Sequence, residues 1–357
     1  MKYVCKIPGK VKWDDPRDLD HIVSDITENK SKITSLELTH NSIGIECAKR
    51  LSEAIALIEN LSSVNYRDLF VSRLKEDLPI SLKYLIEAIL DKKITFLDLS
   101  DNAFGPTAIP SFDFFLKECP SLEFLELENN GLGPEGAEMV CGALLQNEKI
   151  KLKSIKISRN RLEEKGAISL SKVVQKMDTL QCLEMFQNGI SALGMQKIFE
   201  SLKGKKNLQI IKVNDNFIKD SIQVLIEIIP ELTELKIIDI SDSIIGNKLS
   251  VAFFKAVSSM SNIEEIYCNY NEIEDKKAQE EIFECIGKNK KMKIIELKGN
   301  EINRKIYEKY KTNNEFLERF ECYSENEEEF EEEEKVENDD EKVENLTNKI
   351  DNINLNK

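Results

Sequence analysis

One spacing of residues recurs along almost the whole chain and constrains its fold more than any other feature. An apolar residue is followed by apolar residues at the third, fifth and tenth positions after it, and usually by Asn at the eighth. We call the residue at this eighth position the slot residue. Slot residues follow one another at steps of 27–33 residues, most of them near 28, and are Asn41, Leu69, Asn102, Asn130, Asn160, Asn188, Asn216, Ser243, Asn271 and Asn300. Such regular recurrence indicates a repeat architecture.

The spacing is the leucine-rich-repeat signature, and repeats of about 28 residues have room for a helix after each strand. Apolar residues that alternate with polar ones along a short strand point to one side of it. We therefore predict an α/β leucine-rich-repeat solenoid of about ten to eleven repeats. It should form a ribonuclease-inhibitor-like crescent, with parallel strands on the concave face and helices outside. No single repeat buries enough apolar surface alone, so stability must come from stacked neighbours.

The slot residue turns inward just after each strand. Its amide is placed to satisfy backbone groups of adjacent turns that would otherwise be buried without partners. Ser243 can do part of this with its hydroxyl, whereas Leu69 cannot.

Three regions are predicted. Residues 1–30 lack the full spacing but have helical apolar spacing between Leu19 and Ile26, which predicts an N-terminal cap that also holds Trp13. Residues 31–323 are the predicted repeat domain, closed at the far end by apolar residues up to Phe320. Residues 324–345 hold thirteen acidic and two basic residues, and so −11 of the formal net charge of −15. Such a block cannot bury enough surface to fold, so we predict an acidic disordered tail over 324–357.

The chain has few of the patterns that carry chemistry. It has two histidines and eight scattered cysteines without zinc spacing, no phosphate-binding loop of the GxxxxGK[ST] type and no GxSxG elbow. The cysteines are expected to be small buried hydrophobes. No apolar run is long enough to span a membrane, and no strongly basic segment favours nucleic acid. We therefore expect no cofactor, metal, nucleic acid or membrane, and no active site of the chain's own.

The second repeat departs from the others. Leu69 replaces the slot Asn, and the step that follows it is 33 residues long. The extra residues fall between strand and helix, where loops commonly carry function. Arg73 and Lys75 lie in this loop, so it could address an acidic partner; an ordinary solvated loop is the alternative.

Three segments carry a resemblance to a known family. DLFVSRLKEDLP (68–79), LSDNAFGPTA (99–108) and LENNGLGPEGA (127–137) closely resemble the Ran GTPase-activating proteins. SRNRLEEKG (158–166) and FQNGI (186–190) continue the match in register, and the resemblance covers roughly residues 30–320. The repeat frame alone is less specific, since ribonuclease inhibitor and NOD-like receptors share it.

The resemblance implies an activity exerted in trans. Members of this family bind the small GTPase Ran in its GTP form through one edge of the crescent and stimulate GTP hydrolysis. They are thought to order the GTPase's own Gln and switch region and to supply no arginine finger. For this chain the resemblance implies a GTPase activator without an active site of its own. It also implies a monomer located in the cytoplasm, with a perinuclear location as the alternative.

The resemblance also implies roles for individual residues. Arg73 matches an arginine essential to activity, with docking or orienting favoured over a finger role. Lys75 matches a lysine that pairs with acidic groups of Ran. Asn130 matches an asparagine that could hold the catalytic Gln of Ran, which makes Arg73 and Asn130 the candidates for activation in trans. Asn130 is also a slot residue, so its exposed neighbour Asn129 is the alternative contact.

Further contact candidates follow from the same motifs. Arg159 and Arg161 flank Asn160, and Asp101 lies in the best-matched segment. Relatives often have Thr-Gly before the loop arginine, where this chain has Val71 and Ser72.

Two other functions remain open at this point. A scaffold or inhibitor of the ribonuclease-inhibitor type would bind a partner on the concave face without turnover, and an acidic chaperone-like protein would use the tail. The solvent-facing residues that lie between the two apolar positions of each predicted strand include a single aromatic, Tyr267. Because tight binders usually use more aromatic anchors, this composition favours an activator that binds through its edge.

Overall fold

The computed structural model describes residues 1–4 and 11–312. The predicted acidic tail and the apolar residues beyond 312 that were expected to close the far end lie outside these ranges. The strands are β1 (Lys2–Val4), β2 (Lys12–Trp13), β3 (Ser35–Glu37), β4 (Ser42–Ile43), β5 (Ser63–Asn65), β6 (Phe96–Asp98), β7 (Phe124–Glu126), β8 (Ser154–Lys156), β9 (Cys182–Glu184), β10 (Ile210–Lys212), β11 (Ile237–Asp239), β12 (Glu265–Tyr267) and β13 (Ile294–Glu296).

The helices follow the strands in alternation. They are α1 (Asp20–Asn29), α2 (Ile45–Ala56), α3 (Asp77–Glu87), α4 (Asp113–Glu118), α5 (Gly133–Gln146), α6 (Glu163–Lys176), α7 (Ala192–Ser201), α8 (Ile222–Ile228), α9 (Gly246–Ser258), α10 (Lys276–Lys288) and α11 (Arg304–Thr312). Short 3₁₀ segments cover Pro16–Leu19, Pro106–Ser111, Lys219–Ser221 and Ile229–Glu231.

Eleven of the strands form one parallel sheet. Its strand order is the chain order, β1-β3-β5-β6-β7-β8-β9-β10-β11-β12-β13, while β2 and β4 form a separate pair. The register is the same from repeat to repeat, so that Leu36 pairs with Val64 and Val64 with Leu97. These three side chains are fully buried. The predicted α/β leucine-rich-repeat solenoid is therefore confirmed.

The slot residues form a ladder through the interior. Asn160 shows the pattern: its Nδ2 donates to the carbonyl oxygens of Leu127 (2.8 Å) and Ile157 (3.1 Å), and its Oδ1 accepts the backbone N–H of Asn130 (2.9 Å). The side chain has no exposed surface. Each slot amide thus joins its own repeat to the preceding one, which confirms its predicted role.

The two slots without Asn behave as expected. Ser243 Oγ donates to the Ser241 carbonyl at 3.0 Å. Leu69 has no polar side chain and contributes only backbone groups: its N–H donates to Asn102 Oδ1 at 2.8 Å, and its carbonyl accepts from the Ile43 N–H at 3.2 Å. The ladder is therefore weaker at both positions.

Close approach of neighbouring helices depends on two glycines in α6 and α7. A Cβ added at Gly166 would lie 2.9 Å from the Cβ of Ala137 in α5, and one at Gly194 would lie 3.2 Å from the Cβ of Ala167 in α6. Side chains of ordinary size at these positions would push the helices apart, because interiors pack at crystal-like density.

The N-terminal region covers the first repeat. The expected helix is α1, with Leu19, Ile22 and Ile26 buried. The structure has two further elements there that the spacing does not predict: β1 extends the main sheet beside β3, and β2 pairs with β4. Trp13 is 1% exposed, so it packs in this cap as predicted.

The ladder generates a first prediction. We expect Asn160→Ala to lower the free energy of unfolding by about 3 kcal/mol, because it leaves several buried backbone groups without partners and each costs about 1–3 kcal/mol. Asn207→Ala is the control, since that exposed side chain makes one hydrogen bond, to the Asp178 carbonyl. Urea unfolding followed by circular dichroism measures both. Equal midpoints for the two variants would contradict a stabilising ladder.

Candidate functional site

One edge of the sheet presents a row of outward-facing residues. They immediately precede the ten slot residues, all have positive φ between 50° and 65°, and all are exposed or half-buried. We call them the edge row: His40, Asp68, Asp101, Asn129, Arg159, Gln187, Asp215, Asp242, Tyr270 and Gly299. Because the next residue must turn inward to the ladder, the chain adopts this left-handed conformation, which Asn and Asp tolerate better than most residues.

Asn129 and Asn130 have opposite surroundings. Asn130 has no exposed surface; its Nδ2 donates to the carbonyl oxygens of Leu99 and Leu127, and its Oδ1 accepts the N–H of Asn102. Asn129 is half-buried and belongs to the edge row. The preference for Asn130 as the partner-facing residue is therefore a correction: its carboxamide is enclosed and fully used in the ladder, and Asn129 is the one that a partner can reach.

Asp101 lies between two donors of its own chain. Arg67 Nε donates to Asp101 Oδ2 at 2.6 Å, and Asn129 Nδ2 donates to Asp101 Oδ1 at 2.8 Å. Each carboxylate oxygen thus accepts one hydrogen bond from within the chain. The structure places Asp101 as a link between Arg67 and Asn129, although the sequence indicated a direct partner contact.

Arg67 is surrounded by acids. Besides Asp101, its guanidinium lies 3.8 Å from Asp98 Oδ2 and 3.6 Å from Glu128 Oε2. Burial raises the pKa values of the Asp98 and Glu128 carboxyls. A single guanidinium in this acidic corner reduces the repulsion among the carboxylates.

Arg159 continues the edge row in the next repeat, and Arg161 lies two residues further on the same turn. Both side chains are exposed and both residues have positive φ. Strands of a sheet are about 4.8 Å apart, so Asp101, Asn129 and Arg159 lie at successive steps along one edge. Arg159 and Arg161 are therefore available to the same partner as Asn129.

Arg73 holds the N-terminal cap. Its Nη1 donates to the Asp14 carboxylate, and its Nη2 donates to the carbonyl oxygens of Trp13 (3.0 Å) and Ser42 (2.7 Å). Only 10% of its side chain is exposed. These partners lie on the side of repeat 2 that faces the N-terminus, whereas Asn129 lies two repeats in the opposite direction. The structure does not bring Arg73 and Asn129 together.

The surroundings of Arg73 explain two details of the sequence. Gly44 leaves room for the guanidinium, since a Cβ there would lie 3.2 Å from Arg73 Nη1. Ser72 has φ +57°, the region that favours glycine, which accounts for the glycine common in the family at this point. The hydrogen bond to Arg73 lowers the pKa of the Asp14 carboxyl.

Lys75 differs from Arg73 in exposure. It lies on the outer part of the loop beside Leu74, whose side chain is 66% exposed. Within residues 1–4 and 11–312 Lys75 has no ion-pair or hydrogen-bond partner. It is therefore free to meet an acidic group of another molecule.

The described residues contain no group that fits a metal ion and no helix long and apolar enough to cross a membrane. The described cysteines are all buried and reduced, as the sequence predicted: Cys47, Cys119, Cys141, Cys182, Cys268 and Cys285. Burial raises the pKa of the Cys47 and Cys182 thiols to about 11. These two thiols are protonated at neutral pH and are poor nucleophiles.

The concave face satisfies part of its charge internally. Lys156 pairs with Glu126 across adjacent strands at 3.0 Å, and Lys212 lies 3.8 Å from Glu184. Charged groups already paired across strands offer less to a partner than the exposed arginines of the edge.

Sequence reasoning missed Arg67 and Asp14. Asp14 lies 59 residues from the arginine it pairs with, and Arg67 lies 34 residues from Asp101. Only the offset of about one repeat between Arg67 and Asp101 could have indicated that they are neighbours.

Comparison with known proteins identifies a repeat family and a set of relatives. The Leucine Rich repeat family matches residues 118–141. The chain is 33% identical over 193 residues to Ran GTPase-activating protein 1 of Xenopus laevis, which covers 51% of this chain and 33% of that protein. It is 29% identical over 290 residues to Ran GTPase-activating protein 1 of Saccharomyces cerevisiae, which covers 76% of this chain and 71% of that protein.

A solved structure supports the fold. The crystal structure of the Rad7 and Elc1 complex in yeast aligns with a TM-score of 0.53 over 85% of this chain and 82% of that chain, at 12% identity. The similarity at this level of identity concerns the fold alone.

The chain is therefore a leucine-rich-repeat protein. Within that class its relatives include the Ran GTPase-activating proteins of Xenopus, yeast and Drosophila, at 29–33% identity, which confirms the resemblance seen in the loop motifs. The chain spans about a third of the length of the Xenopus and Drosophila relatives.

The contacts of Arg73 generate a second prediction. Arg73→Ala removes its hydrogen bonds to Asp14, Trp13 and Ser42, and hydrogen bonds to charged groups contribute about 1.5–3 kcal/mol each. We expect the cap to open before the rest of the chain unfolds. Trp13, the only tryptophan, reports on it: its fluorescence should shift to the red at lower urea than the circular dichroism transition.

Lys75→Ala is the matched control for that experiment, because it removes an exposed basic side chain from the same loop. Its fluorescence and circular dichroism transitions should coincide with those of the wild type. A coincident pair of transitions for Arg73→Ala would contradict the role of Arg73 in holding the cap.

Proposed function

We propose that this chain activates GTP hydrolysis by the small GTPase Ran, acting in trans on the GTP-bound form. The observation that carries the proposal is the similarity to Ran GTPase-activating proteins over 51–76% of the chain. The edge row supports it, since half-buried Asn129 and exposed Arg159 occupy neighbouring positions where parallel strands end. An activator of this type is expected to be a cytoplasmic monomer.

The chain's contribution is to order the partner's machinery. Hydrolysis by Ras-type GTPases is slow because the attacking water and the catalytic Gln are poorly positioned, and activators gain on the order of 10⁵-fold. A carboxamide held on a rigid edge can orient a partner side chain by hydrogen bonds without any proton transfer of its own. Asn129 supplies that carboxamide in our proposal, and Asn130 keeps it in place through the ladder.

The basic residues divide into two roles. Lys75, Arg159 and Arg161 are exposed and are proposed to meet acidic groups of Ran. Arg73 supports activity by holding the loop that carries Lys75 against the N-terminal cap. An essential arginine of this kind need not approach the nucleotide.

Single-turnover GTP hydrolysis by Ran tests the proposal. Substoichiometric amounts of the full chain should accelerate hydrolysis by several orders of magnitude, and Asn129→Ala should lower the acceleration at least tenfold, since removing one orienting donor or acceptor typically costs that much. Asp242→Ala is the matched control, because Asp242 occupies the same edge-row position with φ +50°. Because Asn129 has a similar φ of +52°, the two Ala variants place a Cβ in the same left-handed region of the backbone.

Two results would overturn the proposal. Stoichiometric binding of Ran-GTP without acceleration would favour a sequestering scaffold, and the absence of any effect on Ran would exclude the activity. Equal losses for the Asn129 and Asp242 variants would show that backbone strain, and not the carboxamide, is responsible.

The exposed lysine generates a further prediction. Lys75→Glu should slow association with Ran-GTP severalfold at low salt, and the difference should shrink as salt is raised, because exposed charges are screened over about 10 Å at 0.1 M. Stopped-flow association measures it. Lys288→Glu, on the far side of the crescent in α10, is the control. A salt-independent defect would argue against an ionic contact.

A further inference from the structure

The side chain of Asn129 is held in one orientation. A carboxylate can only accept hydrogen bonds, so the group that faces Asp101 Oδ1 at 2.8 Å must be the Nδ2 of Asn129. The amide is planar, and its oxygen therefore lies on the other side. Within the described residues, no donor of the chain reaches Asn129 Oδ1. An acceptor is thus left unpaired on the exposed edge.

Arg67 fixes the carboxylate in turn. Its Nε donates to Asp101 Oδ2 at 2.6 Å, so the two oxygens of Asp101 are shared between Arg67 and Asn129. The backbone of Arg67 is fixed as well, since its N–H donates to Asn65 Oδ1 at 2.9 Å. A chain of hydrogen bonds runs from the concave face through Arg67 and Asp101 to the edge.

The acidic side chains around Arg67 also favour a hydrogen-bond donor on the partner. Arg67 lies within 4 Å of the carboxylates of Asp98, Asp101 and Glu128, so three acids surround one guanidinium. The corner keeps an excess of negative charge when its carboxyls are ionised, and an excess of this sign disfavours an approaching acceptor and favours a donor.

We propose that Arg67 and Asp101 are positioning residues that hold the Asn129 carboxamide with its oxygen outward, so that the partner group it contacts is a hydrogen-bond donor of the N–H type, such as the NH₂ of a side-chain amide. The inference rests on the proposed function and adds to it two positioning residues and the orientation of the Asn129 amide. Asp101 acts through Asn129 and makes no contact of its own with the GTPase.

A double-mutant cycle tests the inference. Asp101→Asn keeps the size and the tolerance of positive φ but replaces one carboxylate oxygen by an NH₂ donor. With one acceptor left for two donors, the Asn129 amide is no longer forced into one orientation. At saturating activator, we expect the rate of hydrolysis to fall on the order of tenfold, as for a misplaced orienting group, with little change in the activator concentration for half-saturation. Added to Asn129→Ala, Asp101→Asn should cause no further loss. Arg67→Lys should give an intermediate effect.

Glu296→Gln is the matched control, because Glu296 Oε2 accepts the Nδ2 of Asn269 at 3.0 Å in a similar carboxylate-to-amide hydrogen bond near the other end of the sheet. It should leave the rate unchanged. A second readout does not depend on activity: the side-chain ¹⁵N–H₂ signals of Asn129 should shift in Asp101→Asn and not in Glu296→Gln.

The outcomes distinguish failure of the proposed function from failure of this inference. If the wild type does not accelerate hydrolysis, the proposed function and this inference both fall. If the wild type is active but Asp101→Asn lowers the rate by the same factor in the wild type and in the Asn129→Ala variant, Asp101 acts independently of Asn129. Only the inference is then overturned. Asn129 signals that are insensitive to Asp101→Asn would overturn it as well.

Discussion

The hydrogen bonds of the buried slot carboxamides are the interaction on which the rest of the structure depends. A three-residue strand makes few bonds of its own, and the turn after it would leave N–H and C=O groups buried without partners. One amide per repeat supplies both donors and an acceptor to these groups, as Asn160 does for Leu127, Ile157 and Asn130. Because each amide serves two repeats, the ladder fixes the spacing and the register of the crescent as well as its stability.

The same constraint creates the functional edge. A slot residue that must turn inward forces its predecessor into the left-handed region and outward, in every repeat. The fold therefore offers a line of exposed side chains at steps of about 4.8 Å, whose chemistry can vary while the backbone does not. In this chain the line carries Asp101, Asn129 and Arg159 in succession, next to the long loop of repeat 2. The proposed contact residues therefore lie where the ladder fixes the backbone and the side chain can vary.

The sequence was sufficient for the fold and for part of the site. Period and apolar spacing determine a repeat solenoid, and the inward turn of Asn160 follows from backbone groups that need partners. The repeat pattern turns Asn130 inward and leaves Asn129 at the edge, but the resemblance matches the partner-facing asparagine to Asn130. The choice between them needed the burial that the structure shows. The sequence could not show that Arg73 reaches back to Asp14, or that Arg67 holds Asp101, since both pairs join residues far apart in the chain. Contacts of that kind depend on how the cap and the repeats stack on one another.

The two slots that lack Asn divide the ladder. From the Leu69 N–H to Asn216, each slot N–H donates to the amide oxygen of the next repeat, and a second run extends from Ser243 to Asn300. Within the described repeats, no slot side chain bridges Asn216 to Ser243 in this way. The ladder thus has three parts: the Asn41 repeat beside the N-terminal cap, and two longer arcs that meet at a seam between Asn216 and Ser243, where only backbone hydrogen bonds join the described repeats. Bending at the seam would change the curvature that a large partner meets, while the positions of Asp101 and Asn129 within the first arc would stay fixed.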